Sequence, residues 1–143
     1  MSLLASALLI DDDSTANFLH QLLLKKMDVA ERVLVAENGQ QALELLNTTT
    51  LPPQLILLDL NMPVMNGPEF LAHYARLSLA APRPVVVVVS SSEHGIDQTR
   101  VQQLPVDSFL EKPLTREKRK WRPCWRNIFP ARMRVARRRC ASW

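Results

Sequence analysis

The sequence predicts an α/β fold: a doubly wound sheet of five parallel strands with helices on both faces. Three observations predict it. Short apolar runs alternate with helix-like segments as far as Pro113. Three of those runs, Ala5–Ile10, Leu55–Leu58 and Val85–Val89, are nearly continuous in apolar residues. Strands lose their alternation when both faces are buried, as in a parallel sheet covered by helices. The ends of the runs also collect chemistry, with Asp11, Asp59, Ser90 and Lys112 each just at or past a strand. In open α/β sheets that edge is where ligands bind.

Each element has its own local reason. Ala5–Ile10 is a short apolar strand that stops on Asp11-Asp12-Asp13. Ser14 is a capping residue, and Phe18, Leu22 and Leu23 then recur at helical spacing up to Lys26. Arg32–Ala36 alternates as a strand does, and Asn38-Gly39 marks a turn. Gln40–Leu46 reads as a helix with Ala42, Leu43 and Leu46 on one face. Thr48–Pro53 is a loop, Leu55–Leu58 a buried strand ending on Asp59, and Asn61–Gly67 a second loop. A helix is expected from Pro68 to Leu77, since proline is acceptable at a first helical position. Pro82-Arg83-Pro84 breaks the chain before the strand Val85–Val89. A polar helix over Ile96–Gln103 and a last strand over Val106–Leu110 complete the series, which ends near Lys112-Pro113.

Composition bounds what this fold can be. The 143 residues suit one domain, and 47% of them are apolar, enough for a core. The longest aliphatic run in mid-chain, Val85–Val89, is far short of the roughly 20 residues a bilayer needs, so no membrane span is expected. The apolar start Met1–Ile10 is similar to a signal peptide, but it lacks a basic region and runs straight into three aspartates, so it is read as the approach to a first strand, with Met1–Leu4 read as a cloning remnant. None of the three glycines sits in a phosphate-cradling frame. The net charge of +4 conceals two unlike segments. Through Pro113 there are seven basic and thirteen acidic residues; from Leu114 onward there are eleven basic and one acidic. Both cysteines and all three tryptophans lie in that basic stretch. Two cysteines separated by fifteen residues, with no histidine near them, make no zinc pattern.

At the strand ends, three carboxylates (Asp11, Asp12, Asp59), a hydroxyl (Ser90) and an amine (Lys112) are expected to share one cleft. Close carboxylates repel unless a cation or a proton relieves them. Hard oxygen donors with room for water suit Mg²⁺ better than zinc. A divalent cation beside an amine and a hydroxyl is equipment for holding a phosphoryl group. No nucleotide motif is present, so that group would come from elsewhere and land on a carboxylate. His20, His73 and His94 are scattered and receive no role.

These residues carry a resemblance. Leu8-Leu-Ile-Asp11-Asp12-Asp13-Ser14, Ala36-Glu-Asn-Gly39-Gln-Gln-Ala-Leu43, Leu55-Ile-Leu-Leu-Asp59-Leu-Asn-Met-Pro63-Val-Met-Asn-Gly67, Val89-Ser90-Ser91 and Phe109-Leu-Glu-Lys112-Pro113 stand in order. Together they resemble a CheY-like receiver domain of two-component response regulators, of the single-domain type. The resemblance implies strand order 2-1-3-4-5 and a domain over residues 5–117. It implies that Asp59 accepts a phosphoryl group from a sensor histidine kinase or phosphotransfer protein. Asp12, Asp59 and the backbone carbonyl of Asn61 would bind Mg²⁺, with Asp11 acting mostly through water. Ser90 would be the switch hydroxyl, Phe109 the switch aromatic and Lys112 the phosphate partner, with Lys112-Pro113 a cis peptide. The implied protein is cytoplasmic and is not an enzyme, although slow self-dephosphorylation is expected because water reaches an acyl phosphate. It would pass its signal by changing the surface offered to a downstream protein.

Other readings compete. A phosphorelay intermediate would hand the phosphoryl group onward. A phosphohydrolase working through an aspartyl phosphate prefers a carboxylate two residues after its nucleophile, where this chain has Asn61. A DNA-binding regulator would have to use the tail, residues 118–143. There, Pro123 interrupts the expected fifth helix, making it atypical or truncated. Phe129, Met133, Ala136, Cys140 and Trp143 do recur in steps of four and three among arginines. That pattern fits a basic amphipathic helix for nucleic acid or a membrane surface, or else a disordered or non-native tail.

Overall fold

A computed structural model describes residues 4–60, 62–77, 83–90 and 106–112. Eight elements follow one another: β1 (Leu4–Ile10), α1 (Ser14–Lys26), β2 (Ala30–Ala36), α2 (Gly39–Thr48), β3 (Leu55–Asp59), α3 (Gly67–Tyr74), β4 (Val85–Ser90) and β5 (Ser108–Glu111). The strands form one five-stranded sheet in the order β2-β1-β3-β4-β5. All four pairings are parallel. The predicted fold class is therefore the observed one. The helix expected over Ile96–Gln103 and the segment after Lys112 lie outside the described residues.

Strand parity divides the core into two layers, because successive side chains point to opposite faces. Ala7, Leu9, Leu55, Leu57, Val87 and Val89 face one side and pack with Leu24 of α1 and Met27 at its C-terminal cap. Leu8, Ile10, Ile56, Leu58, Val86 and Val88 face the other and pack with α2 and α3. All five residues of β3 are buried, which explains why that run has no polar positions before Asp59. Chain order also explains the chemistry at the edge. With every strand running the same way, Asp11, Asp59, Ser90 and Lys112 come to the same end of the sheet.

Leu4 opens β1: its amide bonds Val29 O at 2.8 Å, and the residue is 4% exposed. Two expectations are corrected. Asp13, not Ser14, caps α1, its side chain accepting from the amides of Thr15 and Ala16. A carboxylate at that position also meets the positive end of the helix dipole. The second correction concerns which face of α1 is inward. Phe18 is 60% exposed and Leu22 39% exposed, whereas Asn17, His20 and Leu24 are buried. Moving the cap by one residue does not alter the helical spacing; what hid the inward face is that two of its positions are polar.

Candidate phosphoryl-acceptor site

The site grows out of the end of β1. Asp11 is 4% exposed, and Asp12 beside it is exposed. Asp11 Oδ1 accepts from the amide of Asp13 at 3.0 Å, an Asx turn that folds the chain into α1. Asn17, one turn into α1, donates its Nδ2 to the carbonyl of Asp11 at 2.8 Å. Strand end and helix start are thus bonded to each other. Asp59 closes β3 on the neighbouring strand and is 9% exposed. Carboxylate oxygens of Asp11, Asp12 and Asp59 lie within 4.8 Å of one another.

Lys112 arrives from the end of β5. Its Nζ donates to Asp11 Oδ2 at 2.7 Å and stands 3.7 Å from Asp59 Oδ1. Burial pulls the amine down, but the hydrogen bond to Asp11 and the charges of Asp59, Asp11 and Asp13 outweigh it, so the pKa ends above the ordinary lysine value. Lys112 is therefore a fixed cation at neutral pH. A charge-assisted bond of this kind is short and strong, and breaking one side of it strands a buried charge.

The loop after Asp59 is held by two close approaches. The amide of Gly67 bonds Leu60 O at 3.0 Å, and a Cβ there would lie 2.7 Å from Leu60 Cα and 3.0 Å from Asp59 O. Gly39, at the start of α2, bonds Met65 O at 3.2 Å. Between them, Val64 has φ 66°, and Met65 N reaches Pro63 O at 2.7 Å, the geometry of a tight three-residue turn. A β-branched residue rarely adopts that backbone, so this turn is strained.

The structure brings Asp11, Asp12, Asp59 and Lys112 together, as the sequence predicts. Ser90 ends β4, in register with Glu111 of β5. Phe109 sits in β5, partly buried against the layer that holds α2 and α3. Asn61 and the Lys112–Pro113 peptide, with its expected cis geometry, lie outside the described residues. One residue given no role does belong to the site. His20 is 8% exposed and lines a small cavity under the carboxylates with Asn17, Asp11 and Asp59. Burial, helped by Lys112, lowers its pKa against the opposing pull of Asp11 and Asp13. The signal for it was available: stepping back from Leu24 by four and seven residues gives His20 and Asn17, one stripe of the helix.

A family model described as a response regulator receiver domain matches residues 7–120. The chain belongs to this family. Among curated proteins, the receiver is 39% identical over 114 residues to the nitrate/nitrite response regulator protein NarL of Escherichia coli (strain K12), covering 79% of this chain and 50% of that protein. It is 31% identical to the two-component response regulator ORR41 of Oryza sativa subsp. japonica over 78% of this chain and 85% of the relative. A protein-glutamate methylesterase/protein-glutamine glutaminase of Burkholderia thailandensis is 37% identical, but this chain covers only 28% of its length. The receiver thus spans a third or less of the methylesterases it matches. The structure of a two-component response regulator from Cytophaga hutchinsonii aligns with TM-score 0.74 and 28% identity over 87% of this chain and 96% of that one. A CheY-like receiver from Methylobacillus flagellatus aligns with TM-score 0.71 at 21% identity, which speaks to the fold alone. Among the described residues, no helix is long and apolar enough to cross a membrane.

Proposed function

We propose that this receiver takes a phosphoryl group on Asp59 from a phosphohistidine of a sensor kinase or phosphotransfer protein, and then presents a changed surface to a protein target. The observation that carries the reading is the position of Lys112, 2.7 Å from Asp11 and 3.7 Å from Asp59, over three carboxylates within 4.8 Å of one another. A fixed ammonium beside Asp59 neutralises phosphoryl oxygens as they approach. The Asp59 oxygen forms the new O–P bond while the P–N bond of the donor breaks, its electron pair leaving on the imidazole. Held at a strand end, Asp59 needs little reorientation for that attack.

The donor set fits Mg²⁺: all oxygen, charged and clustered, with Asp12 open to solvent. Both oxygens of Asp11 are already engaged, Oδ2 by Lys112 and Oδ1 by the amide of Asp13. That favours Asp12 as a direct ligand and Asp11 as reaching the ion through water; Asp59 and the Asn61 carbonyl complete the ligand set that the family resemblance implies. When bound, the ion supplies charge stabilisation for the phosphoryl oxygens. Ser90 and Phe109 are assigned to the response: a hydroxyl that turns to the phosphoryl group and an aromatic ring that follows it inward. Phe18, 60% exposed, and Leu19, 56% exposed, lie on the outer side of α1, the helix that starts at the acid cluster. They give a donor protein an apolar foothold on the helix that leads away from the acid cluster.

The full chain incubated with Mg²⁺ and acetyl phosphate should gain one acid-labile phosphoryl group by intact mass, and Asp59→Asn should abolish it. A phosphate mapped instead to Ser90, Ser91 or Ser92, with Asp59 unmodified, would refute the assignment.

A further inference from the structure

Two buried polar residues on the inner stripe of α1 have no part in the chemistry above. Asn17 and His20 are three residues apart and so share a helix face. With Asp11 and Asp59 they line a cavity of about 10 Å³ whose remaining wall is aliphatic. The Nδ2 of Asn17 donates to the carbonyl of Asp11 at 2.8 Å. That bond sets which way the amide faces, because a flipped amide would press oxygen against oxygen. The Oδ1 of Asn17 is left fully buried, with no hydrogen-bond partner among the described residues. Around the cavity the ionised carboxylates can only accept, whereas the imidazole of His20 has an N–H to give in either protonation state. A space of this size admits about one water molecule, and a buried water is held by two to four polar partners.

We propose that Asn17 and His20 are positioning residues that hold one ordered water beneath the carboxylates of Asp11 and Asp59. The water donates one hydrogen to Asn17 Oδ1 and the other to a carboxylate of the pair, and it accepts from the His20 ring. Asn17 then grips Asp11 twice, through Nδ2 at the carbonyl and through the water at the carboxylate side. Without that grip, Asp11 loses the orientation in which it meets Lys112, and the cluster offers its oxygens to a cation less well arranged. Only the kinetic part of this inference rests on the reading of Asp59 as the acceptor.

The test uses the full chain. A crystal structure at a resolution that reveals waters should show one within hydrogen-bonding distance of both Asn17 Oδ1 and the His20 ring; a dry cavity overturns the proposal. Asn17→Leu and His20→Leu, checked for retained folding by circular dichroism, should each weaken Mn²⁺ binding in calorimetry about tenfold. The saturating rate of phosphorylation by acetyl phosphate should fall with it, while the half-saturating donor concentration changes little. His20→Gln, which keeps an N–H donor, should recover most of the loss; if it is as impaired as His20→Leu, the role is packing and the proposal fails. Wild-type metal affinity in both leucine variants also overturns it. A wild-type chain that takes up no phosphoryl group would instead sink the reading of Asp59, and the water and metal measurements would still decide this one.

Discussion

Helices α1 and α2 are built from similar material and serve different ends. In α2 the inward residues are Gly39, Ala42, Leu43 and Leu46, the ones hydrophobic spacing selects. In α1 the inward stripe includes Asn17 and His20, while Phe18 and Leu22 face out. Both helices are capped by a side-chain oxygen, Asn38 accepting from Gln41 N and Asp13 from two amides. The difference is what each helix covers. The α2–α3 side closes an apolar layer. The first turns of α1 close over carboxylates, where a leucine would remove the hydrogen bonds that buried polar groups need. A helix beside a charged site is therefore oriented by its polar residues, and its surplus apolar ones are released to the surface.

That contrast can be broken from the packing side first. Phe70 is fully buried on α3 and stacks on Tyr74 with ring centroids 5.7 Å apart. Phe70→Ala should cost about 3–5 kcal/mol in denaturant unfolding, while phosphorylation per folded molecule stays near wild type. A large loss of phosphorylation in the folded fraction would mean the two layers are not separable.

A smaller effect is expected at the seam between α2 and the loop after Asp59. A Cβ on Gly39 would lie 2.8 Å from Met65 Cγ and 3.0 Å from Met65 O. The methionine side chain can yield and its carbonyl cannot, so Gly39→Ala should destabilise by about 1–3 kcal/mol. Unchanged stability would show that the loop moves easily.

On α1 the prediction is one of separation. Phe18→Gln should change stability by no more than about 0.5 kcal/mol, because the side chain is 60% exposed. Transfer from a histidine-phosphorylated protein donor should slow, and labelling by acetyl phosphate should not. Equal slowing with both donors would remove the outer face of α1 from any docking role.

The smallest effect sharpens the comparison, because among the described residues each layer holds a buried polar atom without a partner. Tyr74 OH is buried without a partner among the described residues, as Asn17 Oδ1 is. The tyrosine ring keeps Phe70 and the Arg83 guanidinium, 4.9 Å from its centre, as neighbours. Phenylalanine would keep both. Tyr74→Phe should thus be neutral or gain up to about 1 kcal/mol at neutral pH. Burial raises the Tyr74 pKa above 10.0, so the folded state holds this proton more tightly than the unfolded one. That contribution is complete below pH 10 and is lost as pH rises through the folded value. Thermal melts above pH 10 should therefore show wild type losing stability faster than Tyr74→Phe.

Much of this was legible in the sequence, for reasons that can be named. Strands β1, β3 and β4 announce themselves because burial on both faces leaves no polar interruption. Asp11, Asp12, Asp59 and Lys112 were found because residues at parallel strand ends must meet. The inner face of α1 was not legible, since hydrophobic periodicity ranks Phe18 above Asn17 and has no way to know that the helix covers an acid cluster. His20 was passed over for the same reason: an isolated histidine gains meaning only from what surrounds it. The start of β2 at Ala30, two residues before the alternating segment, was hidden by the charged, exposed Glu31 on an edge strand.

Lys112 and Asp11 are separated by 101 positions along the chain. On the ribosome, where about 5–20 residues are added each second, Asp11 is made roughly 5–20 s before the amine that balances it. Through that interval Asp11, Asp12 and then Asp59 have no lysine from β5 to draw them together. The arrival of β5 therefore does more than add an edge strand. It delivers the counter-charge that lets the end of the first strand settle, so truncation just before Lys112 should leave a chain with most of its sheet sequence and a frayed acidic rim.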